Sequence, residues 1–340
     1  MDETNWRDLL KPPADGSSPC WGPDSGLRAR ALFPVRVNAY FAALIQSADD
    51  PLGRQVIPSA AELDDPATAD DPLTEERQSP VPRVIHRYPG RVVLLVSDQC
   101  AVHCRFCMRK RRVIQTHRDG KPQLDRALAY IRQRTDIQEV ILSGGDPLMR
   151  ADADLAALLS ELRAMPHLRR LRIHTRMPGV LPQRVTPALV ALLAGYHPLY
   201  VNIHFNHPAE LTPAVATACN RLADAGIPLG SQTVLLKGVN DDPVVLTDLM
   251  ERLLDLRVRP YCLHMLDRVP GTRHFQVPVE RALSLLAALR GPLSGMGVPH
   301  MMVDLPGGGG KMALTPDAVI AKGPEQWWIR NWQGGIYTYP

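Results

Sequence analysis

The chain has 340 residues, 45% of them hydrophobic, which is enough for one large domain or two medium ones with a full apolar core. Its formal net charge of +4 is small for this length, and the basic residues are spread along the chain apart from the run at 109–112. This balance argues against a nucleic-acid-binding surface as the main function.

The apolar runs and the cysteines indicate the compartment. Residues 1–6 are polar and lack the apolar core of a signal peptide, and no apolar run approaches the ~20 residues needed to cross a bilayer. Three of the six cysteines are clustered, whereas Cys20, Cys219 and Cys262 are scattered, which does not suggest a disulfide framework. We therefore expect a cytoplasmic protein in a reducing environment, with no membrane partner.

The first part of the chain predicts an N-terminal arm of helices and loops over residues 1–85. Residues 11–80 are rich in proline, aspartate and alanine, and they contain an apolar stretch with helical character at 31–46. From Arg87 onward the character of the sequence changes.

Strand-like and helix-like segments then alternate with a period of about 30 residues, the length of one βα unit. The strand-like runs begin near Arg91, Glu139, Arg169, Leu199, Leu229 and Arg259. The helix-like stretches include 123–134, 152–163, 186–194, 214–225 and 244–256. This alternation predicts an α/β fold with a parallel sheet, arranged as an open, partial (β/α)6 TIM-like barrel over residues 86–299. A doubly wound open sheet is the alternative.

Residues 300–340 predict a separate C-terminal segment. A further strand at 300–304 leads into Pro306, four consecutive glycines and Lys311. The tail at 327–339 predicts a β-hairpin that turns at Gly334-Gly335.

Polar residues follow one strand after another, at the ends where the chemistry of such barrels gathers. They are Cys100; Ser143, Gly144, Gly145 and Asp146; His174, Thr175 and Arg176; Asn202, His204, Asn206 and His207; Gln232; His264 and Asp267; and Asp304 with Lys311. Each could be a satisfied core group, but their recurrence at one end predicts a single site.

Cys100, Cys104 and Cys107 have the spacing C-x3-C-x2-C directly after the first strand-like run. Three such thiolates can hold three irons of a [4Fe–4S] cluster, which normally takes four cysteines. The fourth iron is then open to a bound molecule. A zinc site with His103 as fourth ligand is the alternative, as are three unrelated core thiols.

The glycine run before Lys311 is the second informative feature. It is not a phosphate-binding P-loop, because Met312 stands where that motif needs serine or threonine. A lysine in a partly desolvated pocket can form an imine with a carbonyl cofactor, for which pyridoxal phosphate is the obvious candidate. Taken alone, the run is better explained by a flexible surface loop ending in a solvated lysine.

The cysteine spacing resembles that of the radical S-adenosylmethionine superfamily, and together with the glycine-lysine run it resembles the lysine 2,3-aminomutase family. Further segments agree, so that the match covers roughly residues 80–340. They are His86-Arg87-Tyr88-Pro89 with Arg91, the run 107–112, the run 202–208, the run 228–232 and Gly238-Val239-Asn240-Asp241.

The resemblance implies a partial barrel that binds a [4Fe–4S] cluster, S-adenosylmethionine and pyridoxal phosphate, with these roles. Cys100, Cys104 and Cys107 would ligate the cluster; Phe106, Ser143, Gly144, Gly145, Asp146 and His204 would contact S-adenosylmethionine; Lys311, Arg87, Arg91 and Gln232 would hold pyridoxal phosphate; and Arg109, Asp267 and Asp304 would bind the substrate. Phe106 would equally suit a core aromatic, and a lone Gly-Gly-Asp also makes an ordinary βα turn.

The implied activity is an isomerase that moves the α-amino group of free lysine to carbon 3, giving β-lysine. A reducing partner such as flavodoxin or ferredoxin would supply the electron. Arg109 would bind the α-carboxylate, and the Asp267 and Asp304 carboxylates would attract the far amino group while repelling glutamate. Arginine, also cationic at its far end, stays open as a substrate, and either aspartate could instead cap a strand or pair with a surface arginine.

Some positions depart from the longer family members. Asp242 stands where those members carry a zinc-binding cysteine, and the sequence ends at Pro340 without their cysteine-bearing extension. We therefore expect no structural zinc. The sequence leaves open whether the protein forms a homo-oligomer. Residues 263–271 look closer to the branch that makes β-lysine for elongation factor P. A non-catalytic iron–sulfur carrier, which would not need Lys311, is the rival from another class.

Overall fold

A nine-stranded sheet forms the centre of the computed structural model, which describes residues 3–11, 27–65, 69–114, 120–315, 319–323, 327–331 and 334–339. Neighbouring strands in this sheet are also neighbours in sequence. The strands are β1 (Val84–Tyr88), β2 (Arg91–Ser97), β3 (Glu139–Gly144), β4 (Arg170–Thr175), β5 (Leu199–His204), β6 (Leu229–Val234), β7 (Val258–His264), β8 (His300–Leu305) and β9 (Gly310–Ala313).

Strands β2 to β8 pair in parallel, and the edge strands β1 and β9 pair antiparallel to their neighbours. The order never reverses, whereas a doubly wound sheet has a point at which it does. The partial barrel is therefore confirmed, and the doubly wound alternative is wrong.

Helices connect the parallel strands and cover the outside of the sheet. The helices of the described residues are α1 (Glu3–Asp8), α2 (Leu27–Leu32), α3 (Ala39–Ala42), α4 (Gly53–Val56), α5 (Lys110–Ile114), α6 (Gly120–Gln133), α7 (Asp152–Arg163), α8 (Met177–Val180), α9 (Pro187–Ala194), α10 (Pro213–Asp224), α11 (Pro243–Asp255) and α12 (Val279–Leu289). The six predicted strand starts and the five predicted helices of the barrel are confirmed to within a few residues. None of the helices in the ranges given above is long and apolar enough to span a bilayer.

Helix α10 shows why these segments fold as they do. Thr212 precedes it and accepts a hydrogen bond from a backbone N–H of the first turn, and Pro213 occupies the first helical position. Val215, Cys219 and Leu222 are buried at the three- and four-residue spacing of one helix face. Capping and apolar spacing together fix both the start of the helix and the face that packs on the sheet.

The stretch at 31–46, expected to have helical character, is helical only in part. The chain forms two short helices there, α2 and α3, with an extended stretch between them. Pro34 lies in this stretch and cannot donate the backbone hydrogen bond that a continuous helix needs. Asn38 then starts α3 by accepting a 2.9 Å hydrogen bond from a backbone N–H of its first turn.

The C-terminal tail forms a second, antiparallel sheet of β10 (Val319–Lys322), β11 (Trp327–Arg330) and β12 (Ile336–Tyr339). Strands β11 and β12 pair antiparallel, with Trp327 opposite Tyr339 at one end and Arg330 opposite Ile336 at the other. The predicted hairpin is therefore confirmed. Part of its turn, residues 332–333, lies outside the described residues. Strand β1 spans the expected boundary between residues 85 and 86, and the division of the chain into three segments stays a prediction.

Candidate active site

The alternation of side chains along the strands creates a cavity on the inner face of the sheet. In β4, Leu171 and Ile173 are fully buried in the core, whereas Arg172 and His174 between them line the cavity. Successive residues of a strand point to opposite faces, so apolar residues pack outward under the helices and polar ones face inward. The cavity has a volume of about 540 Å³.

Every residue assigned from the sequence to a cofactor or the substrate lines this cavity. They are Cys100, Cys104, Cys107, Phe106, Ser143, Gly144, Gly145, Asp146, His204, Arg87, Arg91, Gln232, Arg109, Asp267, Asp304 and Lys311. The prediction that the strand-end residues converge holds for these positions, while the role of each remains to be proposed.

Three other polar residues expected at strand ends serve the fold instead. Asn202 places its side-chain nitrogen 3.3 Å from His174 Nε2 in the sheet. Asn206 accepts a 2.9 Å hydrogen bond from the Val234 N–H, and it is fully buried. His207 Nδ1 accepts a 3.1 Å hydrogen bond from the backbone of the short helix that follows it. These residues shape the β5 loop without lining the cavity.

The three clustered cysteines are unpaired thiols that face the cavity, and the two other described cysteines are free as well, while Cys20 lies outside the described residues. Burial, followed by the negative charge of Cys104, raises the pKa of Cys107 to about 11. Because iron and zinc bind the thiolate, loading a metal here releases protons.

His103 does not complete a zinc site with these thiols. Its Nδ1 lies 2.8 Å from the backbone oxygen of Pro34, and its ring stacks on Phe33 with centroids 5.2 Å apart. Within the described ranges, no group of three or more His, Cys, Asp and Glu side chains is arranged to hold a single metal ion. The geometry therefore gives no support to the zinc alternative.

The two glycines of the Ser-Gly-Gly-Asp segment line the cavity and also lie in close contact with protein backbone. A Cβ on Gly144, whose φ is +128°, would lie 2.2 Å from the Ser97 carbonyl oxygen. A Cβ on Gly145 would lie 2.4 Å from the carbonyl oxygen of Gln99. The glycines are needed because they let β3 hold the cysteine-bearing loop at contact distance.

The Asp146 carboxylate is also engaged within the fold. It accepts hydrogen bonds of 2.7 Å from Thr175 Oγ1, 2.7 Å from the Arg176 N–H and 2.9 Å from the Leu148 N–H. Burial raises the pKa of this carboxyl. The side chain thus joins the ends of β3 and β4, whereas the Ser143 hydroxyl of the same segment lies at the cavity wall.

Arg176 is the most informative cavity residue to which the sequence assigned neither a cofactor nor the substrate. Its Nη1 lies 2.7 Å from Cys104 Sγ, and its Nη2 lies 2.5 Å from Gln55 Oε1 and 3.4 Å from Glu210 Oε2. Its Nε is buried without a hydrogen-bond partner among the described residues. A cationic donor at this distance stabilises a thiolate. Only its position at the end of β4 hinted at this contact.

Aromatic and imidazole rings form the wall beside the cysteines. Phe106 lies with its ring centroid 5.6 Å from that of His204 and 6.1 Å from that of Phe275. It is both a core residue and a cavity residue, so the two interpretations of its role are compatible. Burial lowers the pKa of His204 and of His264 to about 3, and it lowers that of His174 well below 6.5. These three imidazoles are therefore neutral at pH 7.

Lys311 lies at the rim of the cavity, opposite Asp304 in the β8–β9 hairpin. Its Nζ donates to Asp304 Oδ2, and Arg87 Nη1 lies 3.2 Å from the other carboxylate oxygen. Its backbone N–H donates a 2.8 Å hydrogen bond to Tyr88 Oη. The Lys311 side chain is 40% exposed and that of Asp304 only 4%. The glycine loop therefore presents its lysine to the cavity, and not to bulk solvent alone.

Gly308 shows why this loop is built of glycine. Its φ is +86°, and a Cβ there would lie 2.7 Å from Gln78 Nε2 and 2.8 Å from Thr74 Oγ1. Any other residue would meet both backbone strain and a steric clash. The positive φ of Gly308 allows the chain to bend tightly here.

Cationic side chains gather near Lys311. Arg91 follows Tyr88 across the β1–β2 turn and places its guanidinium 4.1 Å from the centre of the Tyr88 ring. Arg87 donates to Asp304, and Gln232 lies in register with His204 on the adjacent strand. Two guanidinium groups beside a lysine form a suitable environment for a phosphate.

The residues expected to bind the substrate have partners of their own. Arg109 donates to Glu75 at 2.7 and 3.1 Å, and its Nη1 lies 3.4 Å from Ser143 Oγ. Burial, followed by the negative charge of Asp304, raises the pKa of Asp267 to about 7. The cavity thus has a guanidinium on one wall and two interacting carboxyls on another.

Comparison with known proteins agrees with this site. The model of the Radical SAM superfamily matches residues 94–250, and that of Lysine-2,3-aminomutase matches residues 286–340. L-lysine 2,3-aminomutase of Clostridium subterminale is 45% identical over 310 residues, covering 90% of this chain and 74% of the relative. The enzyme of that name from Fusobacterium nucleatum is 44% identical over 319 residues, covering 92% and 75%. Glutamate 2,3-aminomutase of Clostridioides difficile is 39% identical over 308 residues, covering 89% and 73%.

A partial barrel with three cysteines in the loop after its first parallel strand defines a radical S-adenosylmethionine enzyme. Sequence identity of 44–45% over most of this chain and of the two L-lysine 2,3-aminomutases identifies the family within this class. The chain belongs to the lysine 2,3-aminomutase family, whose members are isomerases.

Membership of this family implies a [4Fe–4S] cluster, S-adenosylmethionine and pyridoxal phosphate as cofactors. The residues present fit these groups. Three unpaired thiols face one cavity, the buried Arg176 Nε has no partner among the described residues, and Lys311 lies beside two arginines. Thiolates suit iron, an unpaired guanidinium N–H suits a carboxylate, and the basic cluster suits a phosphate.

Proposed function

We propose that this chain catalyses a lysine 2,3-aminomutase reaction, in which the α-amino group of L-lysine moves to carbon 3 to give β-lysine. The observation that carries the proposal is the meeting of the cysteine cluster, Lys311 and the carboxyls of Asp267 and Asp304 in one cavity. Curated relatives named L-lysine 2,3-aminomutase, at 41–45% identity over at least 90% of the chain, support it.

In this proposal, the three cysteines ligate the cluster and Lys311 holds pyridoxal phosphate. When bound, the cluster with S-adenosylmethionine supplies a carbon radical that removes a hydrogen from the substrate, and pyridoxal phosphate supplies the imine through which nitrogen moves. Arg87, Arg91 and Gln232 orient the phosphate end. Phe106, His204 and the backbone of Ser143, Gly144, Gly145 and Asp146 flank S-adenosylmethionine. The protein contributes positioning, charge and the exclusion of water.

Charge complementarity supports lysine as the substrate. Arg109 would bind the α-carboxylate, where a planar guanidinium suits a planar anion. Asp267 and Asp304 would bind the ammonium at the far end. In the ligand-free protein Asp304 is paired with Lys311 and Arg87. If Lys311 were bonded to the cofactor, Asp304 would lose its ion pair with the Lys311 ammonium group and keep the one with Arg87. Asp304 could then bind a new cation.

Glutamate fits this wall poorly, because its side-chain carboxylate would face two acidic groups. A relative named glutamate 2,3-aminomutase is 39% identical, so family membership alone does not decide the substrate. The two acids favour a cationic amino acid. Arginine remains an outcome of the assay below.

We further propose a reducing cytoplasm as the location, since the five described cysteines are free thiols. An electron donor such as flavodoxin or ferredoxin would reduce the cluster. A homo-oligomer stays a prediction from the sequence.

The test is an anaerobic assay of the reconstituted protein with lysine, arginine, glutamate and alanine, in which products are resolved by mass and chirality. We expect β-lysine from lysine and no product from glutamate or alanine. Lys311→Ala should keep the absorbance of the cluster, lose that of covalently bound pyridoxal phosphate and produce no β-lysine. A wild-type protein that carries all three cofactors and leaves lysine unchanged would contradict the proposal.

A further inference from the structure

One segment of the N-terminal arm, residues 71–79, reaches into the site and contacts several of its parts. The Pro72 carbonyl oxygen accepts a 3.0 Å hydrogen bond from the N–H of Gly307 in the glycine loop. Gln78 Oε1 accepts a 2.5 Å hydrogen bond from Arg87 Nε. We call these residues the arm segment. The expected function of the barrel gave no role to any of them.

Glu75 makes the strongest contact of the arm segment. Its carboxylate accepts hydrogen bonds from Arg109 Nη2 at 2.7 Å and from Arg109 Nε at 3.1 Å. These two donors lie along one edge of the guanidinium, so the contact fixes the plane of the group as well as its position. The Nη1 atom is then directed toward Ser143 Oγ, 3.4 Å away, at the cavity wall. The Glu75 side chain is only 3% exposed.

The surroundings of Glu75 keep it ionised. Arg111 Nη2 lies 3.5 Å and Arg112 Nε 4.0 Å from its second carboxylate oxygen. Burial acts to raise the pKa of the Glu75 carboxyl, but the charge and hydrogen bonds of Arg109, together with the charges of Arg112 and Arg111, outweigh it, and the pKa is lowered. A buried carboxylate among three arginines is therefore a permanent anion that offsets part of their charge. Sequence neighbours alone could not show this, because Glu75 is 34 residues from Arg109.

We propose that Glu75 is a positioning residue for substrate recognition: it holds the Arg109 guanidinium so that the Nη1 edge faces the α-carboxylate of lysine. The inference rests on the proposed function and adds a residue from outside the barrel to it. A guanidinium on a long, flexible side chain loses less freedom on binding an anion when its orientation is fixed beforehand. The arm segment would thus contribute to affinity for the carboxylate end of the substrate, and not to the ammonium end.

The test compares L-lysine with cadaverine, which has both amino groups of lysine but lacks the carboxylate. Equilibrium dissociation constants of both are measured on the anaerobic holoenzyme of the wild type and of Glu75→Gln. We expect the variant to bind lysine about tenfold more weakly, because one acceptor is replaced by an amide donor facing the guanidinium, and to bind cadaverine within about twofold of the wild type.

Glu76→Gln is the matched control. It removes the same charge from the adjacent residue, which is exposed and lies 2.9 Å from Arg112 without contacting Arg109. Lysine affinity should be unchanged in this variant. If Glu75→Gln fails to fold or to hold the cluster, Glu75→Asp keeps the charge but has a side chain one methylene shorter, which moves the carboxylate away from Arg109. This variant should show the same loss selective for lysine.

Each other outcome has a distinct meaning. Equal weakening of lysine and cadaverine would make Glu75 a structural residue and overturn the inference. Tighter lysine binding in Glu75→Gln would mean that Glu75 competes with substrate for Arg109, which also overturns it. A wild type that binds neither molecule would overturn the proposed function first, and this inference with it.

Discussion

The Asp267 carboxyl lies where its charge is unfavourable for the ligand-free fold. Burial and then the charge of Asp304 raise its pKa from 3.8 to about 7. The folded protein therefore binds this proton more tightly than the unfolded chain, and stability falls as the pH rises from about 4 to 7. One pKa unit corresponds to about 1.36 kcal/mol. Relative to its value at low pH, the free energy of unfolding is therefore reduced by at most on the order of 4 kcal/mol at pH 8 and 2 kcal/mol at pH 5. We expect Asp267→Asn to stabilise the ligand-free protein, more at pH 8 than at pH 5.

The same substitution should damage recognition of lysine, because only the ionised carboxylate attracts an ammonium group. With a pKa of about 7, Asp267 is mostly ionised at pH 8 and mostly protonated at pH 6. The dissociation constant of lysine should therefore rise about tenfold from pH 8 to pH 6 in the wild type. In Asp267→Asn lysine binding should be weak at both pH values, and this tenfold dependence should disappear.

Two measurements check this reasoning. Urea unfolding of the ligand-free protein at pH 5 and 8 gives the stability difference, and calorimetric titration of the holoenzyme with lysine gives the affinity. If Asp267→Asn is less stable than the wild type at pH 8, or if the pH dependence of lysine binding persists in the variant, Asp267 does not carry a raised pKa at the lysine-binding wall.

The remaining predictions concern the cysteine loop and the glycine loop. Arg176→Gln removes a cationic donor 2.7 Å from Cys104 Sγ, so the midpoint potential of the cluster should become more negative in an EPR-monitored titration. Arg150→Gln, which removes a donor to a backbone carbonyl instead, should leave it unchanged, and equal shifts in both would refute the assignment. Gly307→Ala should lower the free energy of unfolding by about 1 kcal/mol, because of the positive φ alone. Gly308→Ala should lower it by more, because a Cβ at position 308 also meets neighbouring atoms within 3 Å, whereas one at position 307 does not. Equal melting temperatures for the two alanine variants would contradict this.

Much of the barrel could be predicted because its signals are local. Runs of apolar residues predict the strands. Helices such as α10 are predicted by a threonine and a proline at the start, followed by apolar residues at helical spacing. The convergence of Cys100 and Gln232 follows from strand order, since parallel strands end at the same edge of the sheet. Lys311 reaches the same edge because only a short loop separates it from the end of β8.

What could not be predicted depends on contacts between distant segments. The contact of Gly144 with the Ser97 backbone could not be predicted, because it forms only once β2 and β3 are paired. The role of the arm segment was not predicted, because its proline- and acid-rich sequence lacks the regular spacing of apolar residues that indicates a buried face. Nothing in the sequence therefore marks Glu75 as buried. The contact of Arg176 with Cys104 joins residues 72 positions apart, and only the folded chain reveals it.

The pairing of Asp304 with Lys311 across the β8–β9 hairpin has a consequence for how this loop can vary. Pairing of Leu305 with Gly310 closes a four-residue connection, and its length decides which hairpin face carries the lysine. Adding or deleting one residue would turn the amine to the opposite side of the strand, away from the barrel interior. Replacing Gly307 would cost only the strain of its positive φ, since a Cβ there has room, whereas loop length is constrained by the geometry of the strand itself.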